Sequence, residues 1–125
     1  MKRSVWYLAH PLKPDEQYTV EQNMAHVVHM TRLFFEEGVY VCTPYHTCML
    51  ALDDTNLKHR AMGIEMDKAV LTKLNRIILV GHKVTVGMRE ELELIHSEGG
   101  AWENLTGLSD AKIHEYIETF RDNFI

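Results

Sequence analysis

Apolar residues fall into short blocks separated by longer stretches in which they recur every three or four positions. The blocks at residues 5–9 (VWYLA), 39–44 (VYVCTP) and 76–80 (RIILV) are rich in β-branched and aromatic residues and read as buried strands. A weaker block at residues 101–105 reads as a fourth strand. Between the first two, Thr19-Val20-Glu21-Gln22 fits the T-x-x-Q capping box, opening a helix that runs to about Glu37. Gly38 suits the position just past that helix. Residues 57–74 read as a long helix, with Leu57, Ala61, Ile64 and Leu71 as one apolar stripe. Residues 85–98 form another, stopped by Gly99-Gly100, and Ser109 caps a last one through about Phe120. Its stripe of Ile113, Tyr116, Ile117 and Phe120 suits either the chain's own sheet or a partner. Residues 50–56 are a loop or a short helical turn.

Strands alternating with helices predict an α/β domain. The expected form is a flavodoxin-like or Rossmann-like three-layer sandwich with four or five parallel strands. Its 125 residues suit a single domain over 1–125. Such sheets bind ligands outside the carboxyl ends of their strands, here residues 7–11, 44–46 and 81–87.

The net charge of −5 argues against a nucleic-acid or membrane-surface partner. The apolar part of the first eleven residues is too short for a signal peptide, so a cytoplasmic location is expected. Dinucleotide, P-loop and serine-hydrolase motifs do not occur, and no cofactor is expected. His26 and His29 stand one helical turn apart, but no sequence pattern completes a metal site, so surface positions and no metal are expected.

Two acids interrupt the helical patterns. On the helix after Gly87, Met88, Leu92 and Ile95 define the apolar stripe, and Glu91 borders it, while Glu90 and Glu93 fall on the far side. On the long helix, Asp67 lies between Ile64 and Leu71. An acid so placed is paired, hydrogen-bonded or faces a cavity, and Arg60 is the expected salt-bridge partner of Asp67.

Taken with Tyr7 in VWYLAHP, Asn23, Gly38 and Pro44, and with Thr85-Val86-Gly87-Met88-Arg89-Glu90-Glu91 as [S/T]-x-G-x-x-x-E, these acids resemble a known pattern. The chain is similar over about residues 5–100 to the nucleoside 2-deoxyribosyltransferase-like superfamily, which includes 2′-deoxynucleoside 5′-monophosphate N-glycosidases. It looks closest to small bacterial and phage members. The Asp67–Glu91 spacing of 91 − 67 = 24 agrees with that between the family's carboxylates. The resemblance implies an enzyme acting at the N-glycosidic bond of a deoxynucleoside or its monophosphate. Glu91 would be the nucleophile, Asp67 the acid/base partner and Tyr7 the residue that orients Glu91. Thr85 and Gly87 would hold the sugar or a phosphate, beside Met88. His10, Pro11 and His46 follow strand ends and are expected to contact the ligand. A homodimer or larger assembly is implied as well.

Two departures bear on this. Asn75 stands where many members have Asp, which is expected to alter the polarity of the pocket, and residues 10–19 lack the Gly/Ser-rich phosphate-gripping loop. The alternatives are a binding module that senses a nucleotide without turning it over, and cleavage of another N-glycoside such as a nicotinamide dinucleotide.

Overall fold

Alternation along the first strand organises the molecule. In the computed structural model, which describes residues 3–125, β1 (Val5–Ala9) sends Trp6 and Leu8 to one face of a sheet and Tyr7 and Ala9 to the other. It pairs in parallel with β2 (Tyr40–Cys42), and Tyr7 stands opposite Cys42. Its other neighbour is β3 (Arg76–Leu79), with Tyr7 opposite Ile77, and β3 pairs with β4 (Ala101–Asn104). The sheet is parallel throughout, in the order β2-β1-β3-β4.

Helices cover both faces, and the chain has the expected flavodoxin-like, Rossmann-like architecture with four strands. On the Trp6 face, α1 (Val20–Glu36) packs Met30 and Phe34 and α5 (Asp110–Thr119) packs Ile113 and Ile117. The last helix thus uses its apolar stripe on its own sheet, and only Phe120, at 44% exposure, is left out of it. On the Tyr7 face lie Leu71 of α3 (Leu57–Leu74) and Met88 and Ile95 of α4 (Val86–Ser97). The capping box at Thr19 forms in both directions, and Gly38 takes a positive φ of 79° just past α1.

Three parts differ from the sequence expectation. The strand expected over residues 39–44 stops at Cys42, because Pro44 opens a further helix, α2 (Pro44–Ala51). Proline is pre-set for a first helical turn and has no N–H to give a sheet. A short α6 (Arg121–Phe124) also follows α5; its Phe124 is buried against Trp6, whose Nε1–H donates to the Phe124 carbonyl at 3.1 Å. Finally, only Leu71 of the expected α3 stripe is fully buried, with Leu57 at 83% and Ile64 at 48% exposure. The first half of α3 packs on α2 instead, where Gly63 faces Cys48 and Leu52.

Asn75 is the left-handed cap of α3, at φ 52°, immediately before β3 begins. It packs against Gly100, which leads into β4. That is the amino end of the sheet, opposite the ligand-binding end, so the expected effect on pocket polarity does not arise.

Candidate active site

The Tyr7 face of the sheet and the carboxyl ends of its strands form one wall of a cavity of about 490 Å³. Helices α2, α3 and α4, together with Leu12 and Lys13 of the loop after β1 and Leu52 and Asp54 between α2 and α3, supply the rest. Tyr7 points there because alternation puts it on that face. Asp67 comes from α3, on the turn before Leu71, and Glu91 from α4, on the turn after Met88. Glu90 and Glu93, on the outer side of α4, are exposed.

The Tyr7 hydroxyl and the Glu91 carboxylate are neighbours in this cavity, close enough to shift one another's ionisation. Burial is the main cause that raises the Tyr7 pKa far above that of a free phenol, with the Glu91 charge adding to it, so the phenol stays protonated and can donate. Burial likewise pushes Glu91 from 4.5 up to about 7, the neighbouring Tyr7 hydroxyl opposes this, and the Asp67 charge reinforces it. Burial pushes Asp67 from 3.8 up to about 6. Around neutral pH the two carboxyls therefore share roughly one proton.

Asp67 Oδ1 is buried and has no hydrogen-bond partner. The expected salt bridge to Arg60 is not formed; Arg60 lines the same cavity but leaves that oxygen unsatisfied. An unsatisfied buried carboxyl oxygen costs about 1–3 kcal/mol or more, and a group held at that cost beside a cavity is a candidate for contact with a ligand.

Thr85 caps α4, its hydroxyl accepting from the Met88 N–H at 3.2 Å. Within the first turn, the N–H groups of Val86 and Gly87 are left over by helical geometry. A Cβ added to Gly87 would meet nothing within 4 Å, so its backbone borders open space at the helix start. That end of a helix favours negative charge.

Of the residues singled out from sequence, the cavity brings together Tyr7, His10, Asp67, Thr85, Gly87, Met88 and Glu91. Pro11 and His46 do not line it. Pro11 packs on Gly81, where a Cβ would come within 2.5 Å of the ring, and the positive φ of 108° at Gly81 likewise favours glycine. His46 sits in the first turn of α2, one position beyond the residue that turns inward, Tyr45. The Tyr45 hydroxyl donates to the Leu8 carbonyl at 2.5 Å, and its ring stands 5.9 Å from that of Tyr7. Tyr45 falls in the 44–46 segment expected at the ligand-binding end, but the sequence reading singled out His46 there, although Pro44 was a signal for a helix start that turns Tyr45 inward. Cys48, Met49, His59 and Lys68 were missed as well and also line the cavity.

Away from the cavity, Glu37, His114 and Glu118 present ligand-type atoms close together on the surface. The Arg121 guanidinium bridges Glu37 and Glu118 there and already supplies the positive charge. Among the described residues no helix is long and apolar enough to cross a membrane.

A family profile described as "Domain of unknown function (DUF7768)" matches residues 4–104. No curated protein matches the sequence. Among solved structures, the chain is similar to the 2-deoxyribosyltransferase from the psychrotolerant bacterium Bacillus psychrosaccharolyticus, with a TM-score of 0.62 and 17% identity. The likeness covers 85% of this chain and 76% of that one, and at this identity it establishes the shared fold.

Proposed function

We propose that this chain, which belongs to the DUF7768 family, is a single nucleoside deoxyribosyltransferase-like domain that cleaves or exchanges the base of a 2′-deoxynucleoside or its 5′-monophosphate. The observation that carries the reading is the unpartnered, buried Oδ1 of Asp67 facing the cavity that also holds the Tyr7–Glu91 pair. The fold shared with a 2-deoxyribosyltransferase supports it.

The chemistry suits these groups. A Glu91 carboxylate oxygen attacks C1′ of the sugar as the C1′–N bond breaks, and the bonding electron pair leaves with the base. Protonated Asp67 gives its proton to the base, which otherwise departs as a poor anionic leaving group. The resulting glycosyl ester on Glu91 is then attacked at C1′ by water, or by a second base. Asp67 recovers a proton from that nucleophile, and Glu91 is released as carboxylate. The Tyr7 hydroxyl orients Glu91 and stabilises its ionised form. Thr85 and the N–H groups at the start of α4 hold the sugar or a phosphate.

Incubation with a panel of deoxynucleosides and their monophosphates, with base release followed by chromatography, tests the reading. Release or exchange with at least one member is expected. Tight binding of these compounds with no turnover would instead identify a sensing module.

We also propose that the protein works as a homodimer or larger assembly. Leu50, Leu57, Met62, Ile64, Met66 and Val86 are all at least 48% exposed, and they lie on or beside the helices that line the cavity. Leu57 and Ile64, seven residues apart, share the face of α3 beside the cavity, and exposed apolar side chains there suit a partner, here a second copy of the chain. Light scattering at micromolar concentration should return a multiple of the chain mass; a monomer would contradict it.

A further inference from the structure

His10 follows the last residue of β1, and the alternation that turns Tyr7 and Ala9 toward the acids turns His10 toward α1. Its ring, 6% exposed, is a wall shared by two cavities. The second, of about 770 Å³, lies on the Trp6 side of the sheet, between α1 and the start of α5. It opens at the carboxyl ends of β1 and β3. From β1 the chain moves outward to β2, and from β3 it moves the other way to β4. That is the switch point at which open α/β sheets take up ligands. The volume falls in the range of about 300–1,000 Å³ common to small-molecule sites.

The walls are unusual in composition. Four of the chain's eight histidines, His10, His26, His29 and His82, face this cavity together with Tyr18. Met30, Leu108 and Ile113 give it an apolar floor. The nearby charges are already committed. Asp15 is paired with His82 at 2.6 Å and with Lys83 at 2.8 Å, and Asp110 is paired with His29 at 2.6 Å.

A hydrogen-bond chain sets the remaining two imidazoles. His10 Nδ1 meets the Pro11 carbonyl at 2.5 Å, and a carbonyl only accepts, so Nδ1 carries the proton. In the neutral ring that burial favours, His10 Nε2 is an acceptor and takes the His26 Nδ1–H at 2.7 Å. That leaves His26 Nε2 with a free lone pair. Burial lowers the pKa of His10 to about 4 and also lowers that of His26, in keeping with neutral rings. The cavity therefore offers π faces, apolar floor and an acceptor nitrogen, but no uncommitted charge.

We propose that this cavity is a second small-molecule site, taking an uncharged planar N-heterocycle of nucleobase size whose N–H donates to His26 Nε2. The site stands apart from the acid pair and does not depend on the glycosidic chemistry.

Calorimetric titration of the full chain with adenine as probe tests it. Binding should survive Asp67→Asn, which alters only the acid cavity. It should weaken tenfold or more in Ala25→Trp, where an exposed α1 position delivers an indole into the second cavity, and in His26→Leu, which removes the acceptor. Tyr18→Ala, at another exposed wall position, gives the same reading if Ala25→Trp does not fold. The proposal is overturned if wild-type protein binds no adenine, or if Asp67→Asn abolishes binding while the second-cavity variants leave it intact. Binding of Zn²⁺ but not adenine, lost in His26→Leu, would also overturn it by making the histidines a metal site.

Discussion

Glu91→Gln lowers the rate of base release or exchange by at least about 10³-fold while leaving ligand affinity within a few-fold of wild type. The amide keeps the shape and the Tyr7 contact but cannot form the glycosyl ester. The same substitution stabilises the fold, in a pH-dependent way. Glu91 holds its proton more tightly in the folded chain, at about 7 against 4.5. The folded state therefore binds more protons than the unfolded state between those values, and stability falls as pH rises through that window. Gln carries no such penalty. The variant should match wild type near pH 4 and exceed it by about 1–3 kcal/mol at pH 8, a gain of roughly 3–10 °C in Tm for a chain of this size. Thermal melts at the two pH values check this. Equal gains at both would place the effect in packing rather than in charge.

Asp67→Asn should lower kcat by about 10²–10⁴-fold, the usual worth of a general acid, and change the form of the pH profile. Wild-type kcat/KM should be bell-shaped with its maximum between about 6 and about 7, since the pair shares one proton there. Below that window Glu91 is protonated and cannot attack; above it Asp67 has lost the proton the base needs. In Asp67→Asn only the Glu91 ionisation remains. Activity should rise to a plateau with pH and show no alkaline fall, and its midpoint should move below 7 because the Asp67 charge no longer opposes ionisation. An unchanged bell would remove Asp67 from the acid role. Substrates with better leaving bases should lose least.

Much of this site is local and therefore legible in sequence. Tyr7 is placed by the two-residue period of a strand, and Glu91 by its position beside Met88 and Ile95 on a helix whose limits Thr85 and Gly99 mark. Asp67 was recognisable as an acid beside an apolar stripe. Its lack of a partner was not, since that depends on where Arg60 ends up in three dimensions. The exposed half of α3 was misread for a related reason: its pattern is amphipathic, but that part of the helix meets α2 rather than the sheet. The α2 helix itself is only eight residues long and has apolar residues on all sides, so periodicity gave no signal for it or for which residue of 44–46 turns inward. The hydrogen-bond chain from Pro11 through His10 to His26 joins residues 16 positions apart and depends on how α1 lies across the sheet.

The central claim is that Glu91 forms a covalent bond to the sugar, and a quenched-turnover mass measurement tests it most directly. Protein incubated with a deoxynucleoside that it turns over, then denatured in acid, should carry the mass of one deoxyribosyl group. Proteolysis should place the added mass on the peptide containing Glu91, and Glu91→Gln should lack it. Turnover that leaves no adduct under quench conditions that preserve glycosyl esters, or an adduct on another residue, would contradict the account.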